Sequence, residues 1–169
     1  MLDIQGILKI LNEHNVKYIV IGGTAAIAQG SAHLTFDLDI CYARDKENLE
    51  NLVKAITLFH PYMRGAPKEL PFVFDVRTLE LGLNFTFSTD VGDIDLLGEV
   101  KGVGDYNEVI KYSEKLEIYD MYCQVLTLEG LIKSKKVLNR PKDIAVLKEL
   151  EALLEIKKQN IHAHHPSKS

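Results

Sequence analysis

Apolar positions along the chain switch between a helical and a strand period, and the switches outline an α/β (α+β) protein. Ile4, Ile7, Leu8 and Leu11 follow i, i+3, i+4, i+7 spacing, which predicts an amphipathic helix over residues 2–14. Residues 16–21 are mostly apolar and β-branched and read as a buried strand. Gly22-Gly23 ends that strand, and Thr24 is placed to cap a short helix through Ala25, Ala26, Ile27 and Ala28, which Gly30 and Ser31 break. Residues 35–42 form the second predicted strand. Asp45 is the N-cap expected for a helix over 46–60, whose apolar stripe is Leu49, Leu52, Val53, Ile56 and Phe59.

Residues 61–82, with Pro61, Pro67 and Pro71, read mostly as loop, with a helical turn over 75–81. A hairpin follows, with strands over 84–88 and 93–97 and a turn at 89–92. Gly98, Gly102 and Gly104 mark a loop before a helix over 106–112, and strands over 116–119 and 122–126 are joined at Asp120-Met121. Thr127 caps a helix reaching Leu138. Pro141 suits the first turn of a last helix, in which Val146, Leu147, Leu150, Leu153 and Leu154 face inward. The pattern divides the chain into a core over 1–126, C-terminal helices over 127–160 and a polar, disordered tail over 161–169.

Composition narrows the class without naming it. A chain of 169 residues with 46% apolar content can bury a sizeable core. Cys41 and Cys123 give neither a disulfide framework nor zinc-ligand spacing, so a reducing, cytoplasmic setting is expected. The amphipathic N-terminus lacks the basic start of a signal peptide, and no apolar run reaches membrane-spanning length. Net charge is −4 but uneven: residues 1–130 hold 11 basic and 20 acidic side chains, and residues 131–169 hold 9 and 4. The basic end can meet phosphates or be a solvated helical face.

The chemistry lies in two acidic strands. Asp37 and Asp39 are two residues apart in Asp37-Leu38-Asp39, so their carboxylates share one face of an extended strand. Asp93-Ile94-Asp95 repeats the pattern. Neighbouring strands of this kind would gather four carboxylates, which is costly unless a cation lies among them. Hard divalent ions with oxygen ligands, suited to phosphoryl transfer, answer that cost. Gly22-Gly23-Thr24 stands at a strand-to-helix junction, where glycine lets a phosphate approach the backbone. It is neither a Walker A loop, for want of the lysine, nor a dinucleotide-binding fingerprint. A tight turn is the competing reading.

Glycine pair, DLDI and a later GDIDLL, in this order, resemble the nucleotidyltransferase superfamily with the DNA-polymerase-beta-like fold. The likeness is nearest to small prokaryotic members, including those of abortive-infection and toxin–antitoxin systems, and spans about residues 16–150. It implies a central mixed sheet flanked by helices, and transfer of a nucleoside monophosphate from an NTP to an acceptor hydroxyl on RNA, protein or a small molecule. It also implies Mg²⁺ or Mn²⁺ in a two-metal site, and a cognate antitoxin where the protein is a toxin. Asp37 and Asp39 would bind both metals and Asp95 would complete the site; Asp95 is preferred to Asp93 because it lies deeper in the apolar strand. Gly22, Gly23 and Thr24 would hold the terminal phosphates.

Relatives also carry a lysine and an arginine-then-aspartate pattern at the helical end. Lys133 is taken as the phosphate-contacting cation, with Lys136 and Arg140 behind it, against the alternative of a surface lysine. Asp143 is expected to cap or pair with a basic neighbour. His33 stands where relatives often carry an arginine, and reads as a loop histidine. Competing functions are a non-catalytic nucleotide- or partner-binding module and a metal-dependent phosphohydrolase.

Overall fold

The computed structural model describes residues 1–164. In chain order its elements are α1 (Ile4–Glu13), β1 (Tyr18–Ile21), α2 (Gly22–Ala28), β2 (Asp37–Tyr42), α3 (Lys46–Thr57) and β3 (Tyr62–Met63). There follow α4 (Val76–Leu81), β4 (Asn84–Thr89), β5 (Gly92–Leu97), β6 (Glu99–Val100), β7 (Gly104–Asp105) and α5 (Tyr106–Val109), which runs into a 3₁₀ turn over Ile110–Tyr112. The chain continues through β8 (Ser113–Ile118), β9 (Met121–Leu126), α6 (Leu128–Leu138) and α7 (Pro141–His164).

Local chemistry sets most of these boundaries. Asp3, Asp45, Asp75, Asp105 and Thr127 each accept a hydrogen bond from a first-turn backbone N–H of the helix that follows. Asn139 ends α6 in the left-handed region, φ 44°. The β8–β9 turn differs by one residue from expectation. Ile118 pairs with Met121, so Tyr119 and Asp120 form the loop, both with positive φ as a tight two-residue hairpin requires. Two further expectations change. The segment 61–82 contains an edge strand, β3, paired with β4. Helix α7 runs to His164, so residues 161–164 are helical rather than part of a disordered tail, and residues 165–169 of that tail lie outside the described residues.

Seven strands form one mixed sheet in the order β3-β4-β5-β2-β1-β9-β8, and β6 and β7 make a separate two-stranded ribbon. The centre decides the site. Strands β2 and β5 run parallel with Asp37 opposite Asp93 and Asp39 opposite Asp95, while β1 runs antiparallel to β2 with Ile21 opposite Asp39. Alternation sends Leu38, Ile40, Ile94 and Leu96 to the other face, where they are fully buried. They share one core with Ile7, Leu8 and Leu11 of α1, Leu49, Leu52 and Ile56 of α3, and Leu79 of α4. Phe87 closes that core near the β3 edge, with the rings of Phe72, Phe74 and Phe85 within 5.9 Å of its own. On the carboxylate side, α2 packs on β2 and α6, and α6 packs on α7.

One buried amide ties three elements together. Asn48, 1% exposed, accepts from Lys17 N at 2.6 Å and donates to Ala43 O at 2.7 Å and Lys17 O at 3.0 Å. It thereby pins α3 to the start of β1 and the end of β2. Asn48→Ala leaves buried backbone groups unpaired, and is expected to lower the unfolding free energy by about 2–3 kcal/mol. Urea denaturation with an unchanged m-value checks it.

Candidate active site

The register of β2 and β5 brings Asp37, Asp39 and Asp95 together. One carboxylate oxygen from each lies within 4.8 Å of the others. Asp39 is more enclosed than Asp37. Its Oδ1 is buried and has no hydrogen-bond partner. Burial first, and then the charges of Asp37 and Asp95, push its carboxyl up to about 8 against a downward pull from Lys135. Asp37 is raised for the same reasons, burial foremost and then Asp95, with Arg64 and the Thr35 hydroxyl opposing. A buried, unpartnered carboxylate oxygen facing two more carboxylates is a donor set that fits a hard divalent cation.

The glycines that open α2 serve this cluster directly. A Cβ on Gly22, which has φ +62°, would lie 2.1 Å from Asp39 Oδ2, and one on Gly23 would lie 2.7 Å from Thr35 Oγ1. Glycine is therefore required for the carboxylate and the β2 approach to sit against the start of α2. Thr24 does not cap that helix: Ile21 occupies the N-cap position, and Thr24 is buried with its hydroxyl unpartnered. The reason is that the helix begins at Gly22 itself, leaving Thr24 inside its first turn.

Two cavities meet at the cluster and share Gly22, Asp39, Asp95, Leu131, Lys135 and Arg140. The larger, about 450 Å³, adds Gly23, Asp37 and Lys142, with His33 and the highly exposed Leu34 and Phe36 on the loop entering β2. The smaller, about 340 Å³, runs between α6 and the β4–β5 end of the sheet, and adds Asn84, Leu97, Glu99, Lys101, Ser134 and Leu138.

A basic wall is held over the cleft by Asp143, whose side chain is 2% exposed. Its carboxylate accepts from Lys135 Nζ at 3.0 Å, Arg140 Nε at 2.7 Å and Arg140 N at 3.1 Å. These bonds, that to the Arg140 side chain first, hold its carboxyl well below the usual range. Asp143 thus pairs with basic neighbours as expected. Lys133 does not line either cavity; its Nζ donates to the Tyr112 hydroxyl at 3.1 Å and stands over that ring. Residues 133 and 135 are about 200° apart around a helix, so when Lys135 faces the cleft Lys133 faces away. His33 pairs with Glu149 at 3.0 Å on the rim.

Arg64 joins the carboxylate cluster without any local sign of it in the sequence. It follows β3, reaches across β4, and places Nη2 2.6 Å from Asp95 Oδ1 and 3.1 Å from Phe87 O. Its Nε lies 3.2 Å from Asp93 Oδ2 as an ion pair without hydrogen-bond alignment. No local signal marks it, because its partners lie about 30 residues on and its own segment reads as loop; the uncompensated carboxylates were the only hint of such a cation.

No family model matches the sequence, and no curated protein does. Solved structures do match by shape. A lincosamide antibiotic adenylyltransferase, LnuA, in its lincomycin-bound form, superposes with a TM-score of 0.59 at 13% identity, over 90% of this chain and 98% of that one. ANT(2'')-Ia in complex with adenylyl-2''-tobramycin gives 0.53 at 16% identity, over 94% and 96%. An antigenic nucleotidyltransferase-like protein from Paracoccidioides brasiliensis gives 0.52 at 14%, over 92% and 78%. The chain has the nucleotidyltransferase fold.

Asp39 links stability to pH. From about pH 4 to about pH 8 the folded protein retains a proton that the unfolded chain has released, so the metal-free protein loses stability as pH rises through that window. Magnesium needs the ionised carboxylates, so the rise in melting temperature on adding millimolar Mg²⁺ should be larger at about pH 8 than at about pH 5. Asp39→Asn should remove most of that response and raise the metal-free melting temperature at about pH 8. Thermal melts in EDTA and in Mg²⁺ measure both.

Proposed function

We propose that the protein is a metal-dependent nucleotidyltransferase that moves a nucleoside monophosphate from an NTP to a hydroxyl of a small molecule and releases pyrophosphate. The observation that carries this reading is the carboxylate cluster at the junction of two cavities that share Asp39 and Asp95. Two substrates must meet at one phosphorus, and two lobes meeting at one cluster suit that requirement. The larger lobe is assigned to the NTP, because it holds both glycines that open α2 beside Lys135, Arg140 and Lys142. The smaller is assigned to the acceptor. At about 340 Å³ it sits at the low end of small-molecule sites, and its lining balances Glu99 against Lys101 around Leu97 and Leu138. Two proteins of this fold, bound to lincomycin and to adenylyl-2''-tobramycin, support an acceptor of that class.

Asp37 and Asp39 would hold the divalent ions, Mg²⁺ or Mn²⁺, and Asp95 would complete the donor set. When bound, such ions neutralise the triphosphate and make the acceptor hydroxyl more acidic. The protein's own part is positioning and charge. The backbone at Gly22, Gly23 and Thr24 is assigned to the terminal phosphates. Lys135 takes the phosphate contact first given to Lys133, and Asp143 holds Lys135 and Arg140 toward the leaving group. The reaction belongs in the cytoplasm, where NTP is at hand and Cys41 and Cys123 stay as free thiols.

Labelled NTPs with Mg²⁺ test the assignment, offered in parallel to hydroxylated small molecules, total RNA and cell protein. Label in the small-molecule arm, with pyrophosphate released, is the expected result. Label in RNA or protein would replace it with a toxin-type reading and bring in a cognate antitoxin. NTP breakdown without transfer would mark a phosphohydrolase, and NTP binding without turnover a binding module. Asp39→Ala should lower transfer by about a thousandfold or more, roughly 4 kcal/mol of transition-state stabilisation, while circular dichroism stays native. A folded Asp39→Ala protein that keeps Mg²⁺-dependent transfer would overturn the mechanism.

A further inference from the structure

The parallel pairing of β2 and β5 leaves Asp37, Asp39, Asp93 and Asp95 on one sheet face. Among the described residues, Arg64 is the one cation within ion-pairing distance of any of them. Its placement is built. Arg64 N donates to Thr86 O at 3.0 Å, extending the β3–β4 pairing by one residue, and Nη2 is fixed between Phe87 O and Asp95 Oδ1. Its side chain is 30% exposed and that of Asp95 17%. Such a guanidinium is partly desolvated, and its charge acts on its neighbours with less screening than a surface pair. Lys135, the other nearby cation, is engaged by Asp143.

We propose that Arg64 is a resident counter-cation that keeps the site's affinity for free divalent metal low, so that metal enters with the nucleotide instead of being held permanently. The inference rests on the metal-site reading above. A dication approaching the cluster must share Asp95 with a guanidinium already 2.6 Å from its Oδ1, and it meets that positive charge at short range. An NTP arriving with the metal brings phosphate charge that offsets Arg64 and restores the balance. Without Arg64, the three clustered carboxylates, with Asp93 beside them, would bind a dication strongly whether or not nucleotide is present. The guanidinium thus couples metal occupancy to substrate occupancy and lets the ion leave with pyrophosphate.

Mn²⁺ binding to the full chain, followed by electron paramagnetic resonance with and without a non-hydrolysable NTP analogue, tests the proposal on three proteins. Wild type should bind Mn²⁺ alone weakly, and about tenfold or more tightly with the analogue. Arg64→Gln should bind Mn²⁺ alone on the order of tenfold more tightly than wild type, show a smaller analogue effect, and melt at a lower temperature without metal. Arg64→Lys keeps the charge while losing the guanidinium's hydrogen-bond geometry, and should resemble wild type. If Arg64→Gln is unfolded without metal, Mn²⁺ should restore its circular dichroism; failure to do so counts against the proposal. Wild-type-like Mn²⁺ affinity in folded Arg64→Gln overturns it, as does an Arg64→Lys protein that behaves like Arg64→Gln. No Mn²⁺ binding by wild type even with the analogue would instead overturn the metal-site reading, and this inference with it.

Discussion

Electrostatic repulsion among carboxylates on one sheet face is the constraint around which this structure is arranged. Parallel pairing of β2 with β5 sets Asp37 beside Asp93 and Asp39 beside Asp95. The hydrophobic side of the same strands fixes the register. Sliding β5 by one residue would turn Ile94 and Leu96 out of the core and the aspartates into it. The core therefore enforces the very crowding that the other face must manage. It is managed by a raised Asp39, by an arginine brought from the edge of the sheet, and by a lysine pulling from α6.

The neighbouring elements read as accommodations to that face. Gly22 lacks a side chain because the Asp39 carboxylate occupies the place of its Cβ. The cleft is roofed by α6, α7 and the turn between them, where the nearly buried Asp143 carboxylate pairs with Lys135 and Arg140. Negative charge thus lines the floor and positive charge the roof. That polarity would suit the polyphosphate of the proposed NTP substrate.

Much of the fold is legible in local sequence. Caps at Asp3, Asp45 and Thr127 and the heptad-like spacing of Ile4, Ile7, Leu8 and Leu11 specify helices through contacts a few residues long. Period-two alternation in Asp37–Tyr42 and Gly92–Leu97 specifies strands and sorts each strand's aspartates to one face. The weak places were those where tertiary pairing outranks local pattern. Edge strand β3 has two residues and exists because β4 offers it partners. The last helix outruns its apolar stripe, and its residues 156–163 are exposed yet helical because backbone hydrogen bonding propagates from the packed half.

By itself the sequence determined that two acidic strands exist, that a glycine pair precedes them, and that a basic helical end follows. Those features rest on spacing, and spacing is local. Only the tertiary structure decided that the strands are adjacent and in register, that the cleft-facing lysine is Lys135 and not Lys133, and that Arg64 reaches Asp95. Each of these depends on where one element lies against another. Lys135 finds Asp143 eight residues on across a helix turn, and Arg64 finds its carboxylates from beyond a whole strand. Long-range contacts of this kind are fixed by packing, which no window of sequence contains.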